Sequence, residues 1–303
     1  MRGAVSCVCA LLAGCAAVAE AQAANGLGGA RSWEAHLRLT LLGFDNFFQA
    51  PDGLPEKRVI AAGAGVHVAA PLGRSGPLKA FGHADGVVYR GFGPSGAVTA
   101  GLRSQDGPRS YVVALRYVRG RPTREVGDVL DRADFLGLST EYSHRPTRHV
   151  QLTGLADLGR EWYDLPTERT NAFFRAGGAL RYRGFGSRFS PEAGLLWGRR
   201  DVRDDNEDAS QRELFVRLRW APSRPAYLSL GYRRRDRTYT VTDSLASNHG
   251  RRDTRHQWTL GASLRQDDRR TWSLYYARES SDSTRPAGVF ATQLVGLGLT
   301  LRF

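Results

Sequence analysis

The chain has 303 residues, 41% of them hydrophobic, with 43 Lys and Arg against 30 Asp and Glu, a formal net charge of +13. A mean hydropathy of −0.39 is far too low for a polytopic helical membrane protein. After residue 24 no stretch reaches the ~18 uninterrupted apolar residues a spanning helix needs, which excludes a helical transporter but not a closed β-barrel, whose alternating residues average to a soluble-looking composition.

Residues 1–23 read as an export signal. Arg2 supplies a positive charge, Gly3 to Val18 is largely apolar, and Ala19-Glu20-Ala21 or Ala21-Gln22-Ala23 offers a small-x-small cleavage site. Leu12-Ala13-Gly14-Cys15 also resembles a bacterial lipobox, so lipidation at Cys15 and cleavage after Ala21 or Ala23 both stay open. Either route takes the chain out of the cytoplasm. Cys7, Cys9 and Cys15 all lie in this segment, so disulfides, thiolate metal sites and cysteine nucleophiles are not expected in the mature protein. Residues 24–31 form a short linker.

From residue 32 to 303 the dominant period is two. The segments 32–43, 58–70, 78–90, 96–103, 109–118, 133–143, 148–158, 170–183, 188–198, 211–220, 226–234, 254–265, 270–278 and 289–303 read as strands. Alternation is clean in Leu37, Leu39 and Leu41; in Tyr111, Val113, Leu115 and Tyr117; in Leu214, Val216, Leu218 and Trp220; and in Trp258, Leu260, Ala262 and Leu264. It is cleanest at the C-terminus, where Val295, Leu297, Leu299, Leu301 and Phe303 alternate with Gly296, Gly298, Thr300 and Arg302. Most segments suit the ~9–11 residues of a tilted transmembrane strand better than the ~5–6 usual in soluble sheets.

Connections alternate in length along the chain. Short ones rich in Pro, Gly and Asp (71–77, 104–108, 144–146, 184–186, 221–225 and 266–268) carry tight-turn chemistry. Long polar ones (44–57, 119–132, 159–170, 199–211, 235–253 and 279–288) separate them, with 91–95 the exception. Short turns on one side and long loops on the other predict an all-β fold: a transmembrane antiparallel up-and-down barrel of about 14 strands (12–16) in the outer membrane of a Gram-negative bacterium. Aromatics near strand ends (Trp33, Tyr111, Tyr117, Tyr142, Trp220, Tyr232, Trp258, Trp272 and Tyr276) fit interfacial girdles, although β-propensity alone also places aromatics in strands.

If the apolar set faces lipid, the opposite set faces the lumen. That set holds Arg38, Arg116, Arg175, Arg181, Arg217, Arg219, Arg265 and Arg302, beside Glu34, Glu141, Asp157, Glu192 and Glu213. The cationic excess predicts a preference for anions, while Arg–carboxylate ladders bracing the wall are the competing reading. Only Lys57 and Lys79 of the basic residues are lysine. A GC-rich genome accounts for part of that bias, and Arg also suits lipopolysaccharide phosphates and anionic solutes. Export and the scatter of these arginines argue against a nucleic-acid partner.

No catalytic residues, metal site or cofactor is expected. Ser244, Ser247, Asn248 and His249 resemble the His-Ser-Asn set of outer-membrane phospholipases, but they crowd one loop where a nucleophile needs a separately oriented base. Asp201, Asp204, Asp205, Glu207 and Asp208 match no EF-hand and have Arg199, Arg200, Arg203 and Arg212 as neighbours, so a solvated loop is expected.

The last strand, Val295 to Phe303 with its terminal aromatic, resembles the C-terminal assembly signal of Gram-negative outer-membrane β-barrels, which implies the barrel assembly machinery as a partner. Gly250-Arg-Arg-Asp-Thr-Arg-His-Gln-Trp-Thr-Leu-Gly261 and Leu294 to Phe303 look like the barrel domain of surface lipoprotein assembly modifiers. In that family a helical-repeat periplasmic domain precedes the barrel, whereas here residues 24–31 alone do. Gly43-Phe-Asp-Asn-Phe-Phe-Gln-Ala-Pro-Asp52 looks like the first hairpin of porins encoded near exopolysaccharide genes. The leading expectation is a channel or pore for small or oligomeric anionic solutes, in contact with outer-membrane lipid and lipopolysaccharide. The alternatives are an export or assembly barrel with a lipoprotein or polysaccharide cargo, and a structural barrel with a plugged lumen.

Overall fold

A computed structural model describes residues 33–45, 58–72, 77–126, 129–164, 170–183, 188–202, 208–223, 225–241, 248–285 and 289–303. The export segment, the linker 24–31, most of the 44–57 connection, Gly184-Phe-Gly186, Arg203 to Glu207, Ser244 and Ser247 lie outside these residues. The strands are β1 (Glu34–Phe44), β2 (Val59–Pro71), β3 (Leu78–Tyr89), β4 (Gly93–Asp106), β5 (Arg109–Val126), β6 (Val129–His144), β7 (Val150–Tyr163), β8 (Asn171–Tyr182), β9 (Phe189–Val202), β10 (Ala209–Trp220), β11 (Ala226–Tyr239), β12 (Arg252–Arg265), β13 (Arg270–Ser283) and β14 (Phe290–Arg302).

Each strand pairs antiparallel with its neighbours in sequence, and β1 pairs with β14, so the sheet closes into a barrel. Closure runs from His36↔Arg302 to Phe44↔Leu294, and the Phe303 amide adds a bond to the Ala35 carbonyl at 3.0 Å. A closed sheet leaves no unpaired edge, as hydrocarbon requires.

Directly paired residues share a face, so the registers sort the side chains. Leu41, Leu297 and Leu274 form one continuous row and are 52%, 48% and 54% exposed, which identifies the outward face. The apolar set Val295, Leu297, Leu299, Leu301 and Phe303 points outward with them. On that face Tyr111 packs on Tyr142 with ring centroids 4.8 Å apart toward the short-turn end, and Tyr232 on Trp258 at 4.6 Å toward the other. The outward leucines lie between these two levels, an apolar band between aromatic rims.

Several expected loops are strand instead. The segment 119–132 is mostly a continuation of β5 and β6, with register shifts between Val118 and Arg121 and between Pro122 and Arg124. Gly120 takes a φ of 66° at the first shift, backbone that favours glycine. The ladders likewise continue to Tyr163, Val202, Tyr239 and Ser283, beyond the ends the alternation marks. Beyond the aromatic rim the outward positions become Arg212, Arg234, Asp236, Thr254 and Asp282. With both faces polar, alternation disappears while backbone pairing goes on. The connection expected at 91–95 is short, and shorter still than expected: it spans 90–92, because β4 begins at Gly93, with Gly91 and Gly93 at φ of 85° and 79°.

Candidate functional site

The inner face is strongly asymmetric. Across β1 to β4 it carries small residues (Ala61, Gly63, Gly65, Ala69, Ala97 and Gly101) and a row of histidines, His36, His67 and His83, on three adjacent strands. Glu34 there takes Lys79 and Arg103, each at 2.7 Å. On the far side of the ring, β8 to β12 present Arg175, Arg181, Arg200, Arg217, Arg219, Arg233, Arg235, Arg237 and Arg255 inward.

Buried carboxylates organise this wall. Glu213 of β10, 1% exposed, is approached by Arg235 Nη2 at 3.1 Å, Arg233 Nε at 3.3 Å and Arg175 Nη1 at 3.4 Å. Nearer the short turns, Glu192 of β9 accepts from Arg181 Nε at 2.9 Å and Nη2 at 2.5 Å, with Arg219 at 3.4 Å and Arg217 at 3.7 Å. Asp157 accepts two further bonds from Arg175, and Glu161 takes Arg121 at 2.7 Å, Asn171 at 3.2 Å and Arg200 at 3.3 Å. Pairing therefore does not cancel the charge. Glu213 and Glu192 each face three guanidiniums, so the ladders that brace the wall leave it positive.

The registers put Arg38, Arg116, Arg175, Arg181, Arg217, Arg219, Arg265 and Arg302 on the face opposite the exposed leucines. Their surroundings differ. Arg175, Arg181, Arg217 and Arg219 belong to the carboxylate clusters. Arg265 turns to the Asp267 carbonyl at 3.2 Å and the Asp268 carboxylate at 2.5 Å, bracing the β12–β13 turn. Arg302 lies beside His36 at the closing seam. Arg38 and Arg116 have no carboxylate partner among the described residues. Sequence reasoning missed Arg200, Arg235 and Arg237, because it ended their strands early, and it left Arg233 and Arg255 out although both lie within segments it read as strand.

Between β5 and β11 the wall encloses a cavity of about 430 Å³ lined by Arg116, Arg121, Arg175, Arg200, Arg235 and Arg237, with Glu161 and Asn171. Convergent guanidiniums with a minority of carboxylates suit an oxyanion, since each guanidinium presents planar paired donors. Elsewhere, His249 Nδ1 lies 3.1 Å from the Val241 carbonyl, and Asn248 Oδ1 accepts from Arg251 at 2.9 Å, so these two residues are tied into the β11–β12 connection. Asp208 Oδ1 accepts from the Val202 amide at 2.7 Å, pinning the start of β10 to the end of β9.

No family model and no curated protein matches the sequence. Solved structures do match in fold. OmpT, an outer membrane protein of Vibrio cholerae, aligns with a TM-score of 0.52 and 10% identity over 90% of this chain and 97% of that one. The same protein in its outer-membrane expressed form gives 0.51, 11%, 91% and 99%. An anion-selective porin from Comamonas acidovorans gives 0.50, 11%, 90% and 100%. The chain thus has the fold of a porin-like outer-membrane β-barrel.

Proposed function

We propose that this protein is a non-enzymatic channel of the Gram-negative outer membrane that admits anionic solutes. The observation that carries the reading is the surplus of guanidinium around Glu213 and Glu192, which leaves a net positive wall inside a low-dielectric cylinder. The name of the Comamonas acidovorans porin records anion selectivity for that protein, and the asymmetric arginine wall supports the same preference here. The apolar outer band supports contact with lipid, and the short-turn end is read as periplasmic.

The test is the reversal potential of the purified barrel in a planar bilayer under a potassium chloride gradient. The expected result is a chloride preference that weakens as salt rises and screens the wall. Arg116→Glu with Arg237→Glu inverts charges that no carboxylate holds among the described residues, and should move the preference toward potassium. A wild-type barrel that prefers potassium, or never conducts, overturns the reading. Loss of a surface lipoprotein or polysaccharide on deletion, with solute uptake unchanged, would favour export instead.

A further inference from the structure

A second arginine cluster sits apart from the lumenal cavity, at the short-turn mouth. It lines a separate space of about 600 Å³ between the β6–β7 turn and the start of β11, and includes Arg148, Arg181, Arg183, Arg188 and Arg219 beside His149. No Asp or Glu is among the described lining residues. Glu192 stands behind, engaged by Arg181 and Arg219. Among the described residues, the side-chain partners of the other cations are neutral: Arg183 Nη2 donates to Gln151 Oε1 at 2.9 Å, and Arg148 Nε donates to His149 Nε2 at 3.1 Å. Arg188 has no side-chain partner among the described residues. Burial, together with Arg145, Arg181 and Arg219, pushes the Arg183 guanidinium below its ordinary value, as an incompletely compensated cation would be.

Like charges gathered at a concave site cost energy unless something neutralises them. We propose that this mouth is a binding site for a multiply charged phosphate-class anion, held by Arg183, Arg188 and Arg148 with Arg181 and Arg219 behind them. The guanidinium fork matches a phosphate's oxygens bidentately. One oxyanion charge would not balance the cluster, so the ligand carries at least two. Trp220 and Phe189, at outward-facing positions, also line the space, so it opens toward the membrane interface as well as the lumen. The phosphate can therefore come from a soluble anion or from a lipid headgroup. Arg181 and Arg219 also belong to the Glu192 cluster, but Arg148, Arg183 and Arg188 line neither that cluster nor the 430 Å³ cavity, so the site is testable apart from conduction.

The test is calorimetric titration of the purified, folded barrel with inorganic pyrophosphate at low ionic strength. Saturable binding is expected. Arg183→Gln with Arg188→Gln should weaken it by about tenfold or more, given what charged hydrogen bonds contribute, while Arg116→Glu with Arg237→Glu leaves the mouth intact and should retain the site. If the Arg183 exchange impairs folding, Arg148→Gln with Arg188→Gln serves, because both side chains are exposed. Repeating the titration in bilayer discs containing cardiolipin, whose headgroup carries two phosphates, and in discs of phosphatidylcholine identifies the source: weaker pyrophosphate binding in the anionic lipid means the headgroup competes, and equal binding means a soluble ligand. Absence of saturable binding, or equal affinity in the mouth variants, overturns the proposal whatever the channel conducts.

Discussion

Glu213 concentrates the electrostatics of the barrel in one side chain. Its carboxylate is almost fully buried, and its partners Arg175, Arg233 and Arg235 are 31%, 37% and 26% exposed in their side chains. Removing one member of a fully buried pair costs more than the pair contributes, because the remaining charges stay desolvated. Here the guanidiniums reach lumenal solvent, which reduces that cost. Glu213→Gln should destabilise the barrel by roughly 2 kcal/mol, read as a lower urea midpoint in detergent, and should raise the anion preference in bilayers. A purely structural ladder would give the first effect without the second. The alternation made Glu213 and Arg175 legible as inward residues. That they meet was not legible, since Arg175 lies 38 positions away and Arg235 22, and only the register of β8 to β11 brings them together.

At the level of the strand, the two faces obey opposite solvents. Leu297 sits in the outward row with Leu41 and Leu274, so Leu297→Arg should cost about 2–4 kcal/mol if that row lies at the bilayer midplane. Ser139 faces inward, exposed and paired with Asp157, so Ser139→Arg should be far milder. Equal losses in folding titrations from urea into lipid vesicles would mean the faces are misassigned. Glycine marks another constraint. A Cβ on inward-facing Gly177 would overlap the Leu195 carbonyl oxygen and Leu196 Cα, backbone that cannot step aside, so the β8–β9 contact depends on a residue without a side chain. Strand existence was readable from periodicity, whereas the ends were not. Beyond Tyr232 and Trp258 the outer face meets water, and polar residues on both faces look like loop although the ladder continues.

The whole molecule depends on one seam. The β1–β14 ladder turns an open sheet with two unpaired edges into a cylinder. Deleting residues 290–303 should abolish the folded barrel rather than shorten it, because β1 and β13 would expose unpaired amides and carbonyls to hydrocarbon. Circular dichroism and resistance to proteolysis in detergent check this, and a stable thirteen-strand product would contradict it. Phe303 is 62% exposed and contributes its amide, not its ring, to closure. We therefore expect Phe303→Ala to fold normally in detergent yet to assemble less efficiently in cells, which separates closure from recognition by the assembly machinery.

The sequence by itself determined the class of the fold, a strand count of about 14 within a range of 12–16, and the apolar face of its most regular strands, because these follow from a local period of two read against a turn pattern. Tertiary structure decided where strands stop, how many arginines share each carboxylate, and that two separate arginine clusters form on one wall. Those properties arise from pairings between positions tens of residues apart, and a local period carries no information about them.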